Sequence, residues 1–322
     1  MRYSEFVKTW FKVGHRISWK LSWKTLVTLL YFHRPFQNDF IYKTVQSKHD
    51  FIFDYLKSKY PILIEKWKNI PNTPSLEHVP RNRKIWIMWW QGEDEAPFLI
   101  KKCIESIREN SDGAEVIVIT KENYENYVTL PAYIIEKHNS GIISFAQLSD
   151  IMRINLLSSH GGLWLDATIW CSQPIPKELF KRSFWTPHTT LRKTPFVQND
   201  RMHCFIMGGI PHSKLLEYEK DFLNTYWKEH DVIIDYYLLD YSLMLAYWNF
   251  DDIRHMIDEL PYTSETLYGL VRILNNPFDK KELNQLLNEN IFSKLNRYIK
   301  YKTMRNGLPT NYAKLMQIKE ND

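Results

Sequence analysis

Along the first two dozen residues, apolar and basic positions repeat with a helical period. Phe6, Trp10, Val13, Ile17 and Leu21 follow one another at steps of four, three, four and four. Lys8, Lys12, Arg16, Lys20 and Lys24 recur every four residues beside them. At 3.6 residues per turn these become adjacent apolar and basic stripes, so the pattern predicts one amphipathic helix from Phe6 to Lys24. A second helical stretch is expected from about Asp50 to Trp67. Ile70-Pro-Asn-Thr-Pro74 and Pro80 then break the periodicity and place a boundary near residue 80.

Beyond that boundary the pattern alternates. Lys84-Ile-Trp-Ile-Met-Trp-Trp90 reads as a strand ending in Gln91-Gly92, and Pro97–Glu109 as a helix. Glu115-Val-Ile-Val-Ile-Thr120 is a β-branched, buried type of strand. Ser149–Ser159 is helical, with Ile151, Ile154 and Leu157 on one face, and His160-Gly161-Gly162 closes it. Leu163-Trp-Leu165 is a third strand with Asp166 at its end. Strand–helix–strand–helix–strand predicts a parallel α/β sheet, whose ligands sit at the carboxyl ends of strands. Trp89, Trp90, Gln91 and Asp166 fall at such ends.

Charge sharpens the division. Residues 1–46 carry eight Lys/Arg and two acids, a net +6, whereas the whole chain is +5. A basic, aromatic helix of this kind suits an anionic membrane surface, with residues 1–46 as the contact. The alternative is a helix packed on the α/β domain with its basic face solvated. The rest of the chain has no basic surplus, so nucleic acid is not an expected partner. The longest early apolar run, Leu26–Phe32, is far short of the roughly 20 residues that span a bilayer. No signal peptide is expected from the N-terminal pattern, and three widely spaced cysteines fit a reducing cytoplasm. The expected location is therefore cytoplasmic or peripheral on the inner face of the membrane. An aromatic content of 15% with 12 Trp supplies flat faces for sugar or base stacking as well as core packing.

The chemistry concentrates in Ser149-Asp150-Ile-Met-Arg153 and Gly161-Gly162-Leu-Trp-Leu-Asp166-Ala-Thr168. Asp150 and Arg153 are three apart on a helix and share a face. Asp166 leaves an apolar strand and needs a positive partner, for which a metal cation is the natural candidate. Thr168, two residues on, can face the same point. Asp235 and Asp240 lie five apart in an expected aromatic helix, where one suits an approach to the acceptor and the alternative is that both are structural. Asn199-Asp200, His203 and Gly208-Gly209 look like features near a cleft.

These stretches resemble the bacterial capsular polysaccharide synthesis proteins, allied to glycosyltransferase family 32 and its DXD-containing sugar-binding region. Lys84–Pro97, Gly141–Arg153 and Trp164–Ile169 carry the resemblance, with weaker matches at Asp235-Tyr236 and Lys294-Leu295. The likeness covers roughly residues 80–305. It implies an α/β GT-A (Rossmann-like) domain over 81–322, a mostly parallel sheet flanked by helices; the helical, basic-aromatic extension over 1–80 is expected from the periodicity and gains little from the resemblance. It also implies a nucleotide-sugar donor, UDP-linked, a carbohydrate or lipid-linked glycan acceptor, retention at the anomeric carbon, and Mn²⁺ or Mg²⁺. Carried over by position, Trp89, Trp90 and Gln91 lie near the nucleobase and Ser149 near the ribose. Asp150 and Arg153 hold sugar and phosphates, and Asp166 is the first Asp of the DXD motif. Asp235 is a further catalytic candidate. Thr168 stands where the motif has its second Asp, which predicts weak metal binding. Two other functions compete: a metal-dependent phosphate-ester enzyme, which needs more carboxylate or His ligands, and a non-catalytic component of polysaccharide assembly.

Overall fold

A computed structural model describes residues 3–32, 39–72, 83–189, 196–198 and 201–317. Four helices open the chain: α1 Tyr3–Arg16, α2 Trp19–Phe32, α3 Asp39–Lys59 and α4 Pro61–Lys68. The central part runs β1 Lys84–Met88, α5 Phe98–Glu109, β2 Glu115–Ile119, α6 Ala132–Asn139, α7 Phe145–His160, β3 Gly162–Leu165, β4 Ile169–Cys171 and β5 Ile206–Gly209. The helices α8 Lys214–Glu229, α9 Leu238–Asn249, α10 Asp251–Asp258, α11 Gly269–Ile273 and α12 Lys280–Glu289 follow. The chain closes with β6 Phe292–Lys294, β7 Met304–Arg305, β8 Leu308–Pro309 and α13 Asn311–Leu315.

The main sheet has the order β2-β1-β3-β5. Strand β1 pairs in parallel with β2 and β3, and β5 runs antiparallel to β3. Ile85, Trp86 and Ile87 are fully buried on both faces of β1, which is why that segment is continuously apolar and not alternating. The expected mixed α/β architecture with a mostly parallel sheet is therefore present. Two small antiparallel pairs, β4–β6 and β7–β8, complete it.

Helix α7 and strand β3 place the site. Ser144 caps α7 by accepting from the Gln147 amide, more than a turn before the expected start at Ser149. The helix stops at Gly161 (φ +64°) and Gly162 (φ +102°). A Cβ at Gly162 would meet the Lys84 carbonyl at 2.5 Å, so the chain can dive from α7 straight into the sheet only with glycine there. The Trp86 indole donates to the Gly161 carbonyl at 2.9 Å and fixes the turn against β1.

The N-terminal region differs from the expectation in two places. The single helix from Phe6 to Lys24 is broken at Ile17-Ser18, giving a hairpin of α1 and α2. Trp19 folds back onto Gly14, where a Cβ would meet its ring at 2.5 Å. Trp10 and Ser22 exchange side-chain-to-carbonyl hydrogen bonds at 2.6 and 2.8 Å. Of the predicted apolar stripe, Val13 and Leu21 turn into the core, while Phe11, Trp19, Trp23, Lys12, Arg16 and Lys20 stay exposed. The side chains of Phe6 and Lys8 lie outside the described residues. The second stretch divides at Tyr60 because Pro61 starts a new helix at the position where its missing N–H costs nothing.

Helices α3 and α4 pack on α8 and α9, and Ile52, Phe53, Leu56 and Trp67 share the hydrophobic core of the sheet. A buried ion pair, Lys48–Asp235 at 2.6 Å, and a His49–Tyr241 hydrogen bond at 2.6 Å join α3 to the α9 region. The expected boundary near residue 80 falls in 73–82, outside the described residues. No helix among those described is long and apolar enough to cross a membrane. The three cysteines are free.

Candidate active site

A cleft of about 890 Å³ opens over the carboxyl ends of β1 and β3. Its walls include Trp89, Trp90, Gln91, Ser149, Asp150, Arg153, Asp166 and Thr168. All the site residues expected from sequence, except Asp235, thus converge on one concavity. The parallel strands cause this: β1 delivers its aromatic end, β3 delivers Asp166, and α7 brings Asp150 and Arg153 alongside.

Arg153 is the hub. Its side chain is 5% exposed, and its two terminal nitrogens reach Asp150 at 3.0 Å and Asp166 at 3.1 Å. The guanidinium lies over the Trp164 ring, 5.1 Å from its centroid. Burial opposes its charge, and the two carboxylates more than restore it. Asp166 receives three donors: Arg153 and the Trp164 indole (3.0 Å) on Oδ1, and Lys294 (2.7 Å) on Oδ2. Burial alone would raise its pKa, but the charges of Lys294 and Arg153 outweigh burial and hold it below the usual carboxylate range. Asp150 behaves oppositely. Burial, aided by the charge of Asp166, pushes it up to about 6 against the pull of Arg153.

Asp235 stands apart. It is buried, paired with Lys48 at 2.6 Å, and accepts from the Tyr237 amide at 3.0 Å. The residue therefore anchors the α3–α9 packing and does not line the cleft. The expected aromatic helix begins only at Leu238, and its first turn brings Asp240 to the cleft instead. Burial and the charge of Asp150 push Asp240 up to about 7. Of the features expected near a cleft, His203 lines it, whereas Gly208-Gly209 lie inside β5 and away from the lining. Asn199 and Asp200 lie outside the described residues.

Other cleft residues carry little or no mark in the sequence. Lys294 stands out there only as a weak family match, Arg297 and Tyr298 only as part of the basic-aromatic tail after it, and Cys204 and Phe205 carry no site signal. Trp90 is buried against Tyr124, with ring centroids 5.3 Å apart, whereas Trp89 is half-buried under the Arg297 guanidinium at 5.5 Å. Both line the cleft, with Trp90 the more buried of the two; the strand itself ends at Met88, and Trp90 lies in the turn after it. Four buried polar atoms of the lining have no hydrogen-bond partner among the described residues: Trp89 Nε1, Arg153 Nε, Gln198 Oε1 and His203 Nε2. Buried polar groups are ordinarily satisfied, so a cluster of orphans around one cleft marks a place where a polar ligand completes the bonding. Burial pushes the His203 imidazole down to about 4, so it is neutral near pH 7 and presents one donor and one acceptor.

The donor set expected for Mn²⁺ or Mg²⁺ fits such an ion poorly. Both oxygens of Asp166 are engaged by cationic side chains, and Thr168 offers only a neutral hydroxyl. Among the described residues no group of three His, Cys, Asp or Glu side chains is arranged to hold a metal ion.

Known proteins match this chain at three levels. A stretch of 37 residues is 40% identical to Subversion of eukaryotic traffic protein A of Legionella pneumophila, covering 12% of this chain and only 6% of that protein. The solved PaToxG glycosyltransferase aligns over 78% of this chain and 95% of its own, at 13% identity and a TM-score of 0.39. Residues 34–315 match the family of capsular polysaccharide synthesis proteins, a span that includes the whole cleft. The chain belongs to the capsular polysaccharide synthesis protein family.

Proposed function

We propose that the protein is a glycosyltransferase that moves a sugar from a nucleotide-sugar, UDP-linked on the family resemblance, to a carbohydrate or lipid-linked glycan acceptor of a surface polysaccharide. The observation that carries this reading is the Asp150–Arg153–Asp166–Lys294 chain of charges at the ends of β1 and β3, within an aromatic-walled cleft. Aromatic faces suit a base and a sugar, carboxylates suit sugar hydroxyls, and cations suit a diphosphate. A cleft of about 890 Å³ is of the size that small-molecule and cofactor sites occupy.

In the transfer, the bond from the anomeric carbon to the phosphate oxygen breaks and its electron pair stays on the departing nucleoside diphosphate. The acceptor oxygen bonds to that carbon and releases its proton, for which Asp240, with a pKa of about 7, is the available base in the cleft. Arg153 supplies charge where it develops on the leaving group, and the fixed geometry of its fork means little reorganisation is needed. Asp150 positions the donor sugar through its hydroxyls. None of these steps relies on a divalent cation.

The α1–α2 hairpin gives the same reading a place at a membrane surface. Phe11, Trp19 and Trp23 are exposed together with Lys12, Arg16 and Lys20, a combination that suits an anionic bilayer where lipid-linked acceptors reside. The test of function is a screen of nucleotide-sugars by thermal shift, followed by product analysis with the best ligand. Stabilisation by one nucleotide-sugar and transfer or slow hydrolysis of its sugar is expected; NMR of the product's anomeric centre then distinguishes retention from inversion. Absence of stabilisation by every nucleotide-sugar would remove this reading in favour of a non-catalytic assembly component.

A further inference from the structure

Strand β6 is a three-residue strand whose partner is β4, outside the main sheet. Its register pairs Ile169 with Lys294, and the Leu295 amide donates to the Thr168 carbonyl at 2.9 Å. The C-terminal segment is thereby stitched alongside the Asp166–Thr168 turn. The consequence is that Lys294 Nζ sits 2.7 Å from Asp166 Oδ2 across 128 residues of sequence. The ammonium also lies 4.7 Å from the centroid of the Phe205 ring, which holds it from a second side.

A metal ion bound to Asp166 would have to sit about 2.0–2.1 Å from a carboxylate oxygen if it were Mg²⁺. At Oδ2 it would compete with the ammonium for the same lone pairs, and at Oδ1 with Arg153 and the Trp164 indole. Thr168 cannot compensate, since its hydroxyl carries no charge. The turn that ought to hold a dication instead holds two monovalent side-chain cations.

We propose that Lys294 stands in for the divalent cation: with Arg153, it neutralises the diphosphate of the nucleotide-sugar, and Asp166 orients the pair. This inference rests on the glycosyltransferase reading and specifies how its donor is held. Arg297, three residues beyond Lys294, adds a cation at the rim beside Trp89. Lys294, Arg153 and Arg297 against Asp150 and Asp166 leave one positive charge in excess (three minus two), so the group attracts an anion. Asp240, pushed up to about 7, offsets only part of that excess near neutral pH. Asp166 is then a positioning residue, and Lys294 a direct phosphate contact.

The experiment measures binding of UDP, GDP, ADP and dTDP by isothermal titration calorimetry to the full chain, once with EDTA and once with Mn²⁺. For the nucleotide that binds, Kd is expected to differ by less than about 2-fold between the two conditions. Lys294→Met should weaken that binding on the order of 10-fold or more in both, with Lys294→Arg recovering part of the loss. Thermal unfolding of each variant separates lost binding from lost fold, and the comparison in the wild-type chain needs no variant. Tightening of wild-type binding by about 10-fold or more on adding Mn²⁺ would overturn the inference while leaving the glycosyltransferase reading in place. Unchanged affinity in folded Lys294→Met would overturn it as well. No binding by any of the four nucleotides in either condition would overturn both.

Discussion

Replacing Arg153 by lysine tests whether one planar fork holds the site together. The arginine bridges Asp150 at 3.0 Å and Asp166 at 3.1 Å through different nitrogens while stacking on Trp164. A lysine ammonium is a point charge on a flexible stem and cannot reproduce that bidentate span. One charge-assisted hydrogen bond is lost, worth about 1.5–3 kcal/mol. Part of the cation–π contact goes too, about 0.5–2 kcal/mol. The sum, roughly 2–5 kcal/mol, does not exceed the roughly 5–15 kcal/mol by which domains of this kind are more stable than their unfolded state, so the variant should fold.

The functional loss should be larger than the structural one. A lysine that keeps only one of the two contacts leaves Asp150 without its partner or Asp166 with Lys294 alone, and the charge presented to the leaving group moves. Turnover is expected to fall on the order of 100-fold, as for other lost electrostatic stabilisers. Urea unfolding gives the first quantity and sugar transfer the second. Stability and turnover both near those of the wild type would refute the bridging role and leave Arg153 as a dispensable ion-pair partner.

Two further outcomes follow from the same physics. Asp240 has a pKa of about 7 in the fold and about 3.9 in an unfolded chain, so its contribution to stability is fully present below about pH 4 and is lost as pH rises through 7. Asp240→Asn should therefore gain up to about 4 kcal/mol over the wild type at pH 8 and little at pH 4, by urea unfolding; an equal difference at both pH values would contradict the assigned burial. A chain lacking residues 1–32 should lose sedimentation with anionic vesicles, and the full chain should release them at high salt because exposed charges are screened. If the shortened chain pellets as well as the full one, the α1–α2 hairpin is not the membrane contact.

The parts of this site written on short stretches of sequence were legible because the local pattern sets their geometry. Asp150 and Arg153 share a helix face, Asp166 ends an apolar strand, and Gly161-Gly162 forces the turn between them. What depended on distant pairing was not legible. Lys294 reaches Asp166 only because β6 selects β4 as its partner, and nothing in the spacing of 128 residues announces that choice. Asp235 and Asp240 illustrate the same limit at short range. Both are acids in an aromatic stretch, but the helix starts at Leu238, so one falls before it against Lys48 and the other enters the cleft. The N-terminal periodicity correctly predicts helix, yet it hides that Val13 and Leu21 of the apolar stripe are committed to the core. Val13 and Leu21 pack inward once Ser18 breaks the helix.

The two carboxylates bridged by Arg153 illustrate why the delivery of Lys294 matters. They share one guanidinium at nearly equal distance, and both are withdrawn from water, yet Asp166 is held below the usual range and Asp150 is pushed up to about 6. The difference lies in their second neighbours. Asp166 has an ammonium at 2.7 Å, while Asp150 faces the charge of Asp166 and the carboxyl of Asp240. Ionisation of the strand-end acid is therefore secured by a residue from the far end of the chain, and the acids raised toward neutral pH are those on α7 and α9. On the proposed reading, the ionised Asp166 would hold Lys294 and Arg153 in place for a diphosphate, while the acids that titrate nearer neutral pH would be left for the proton of an acceptor hydroxyl. Those two demands cannot be met by a single carboxylate, because securing its charge removes its capacity to take up a proton near neutral pH.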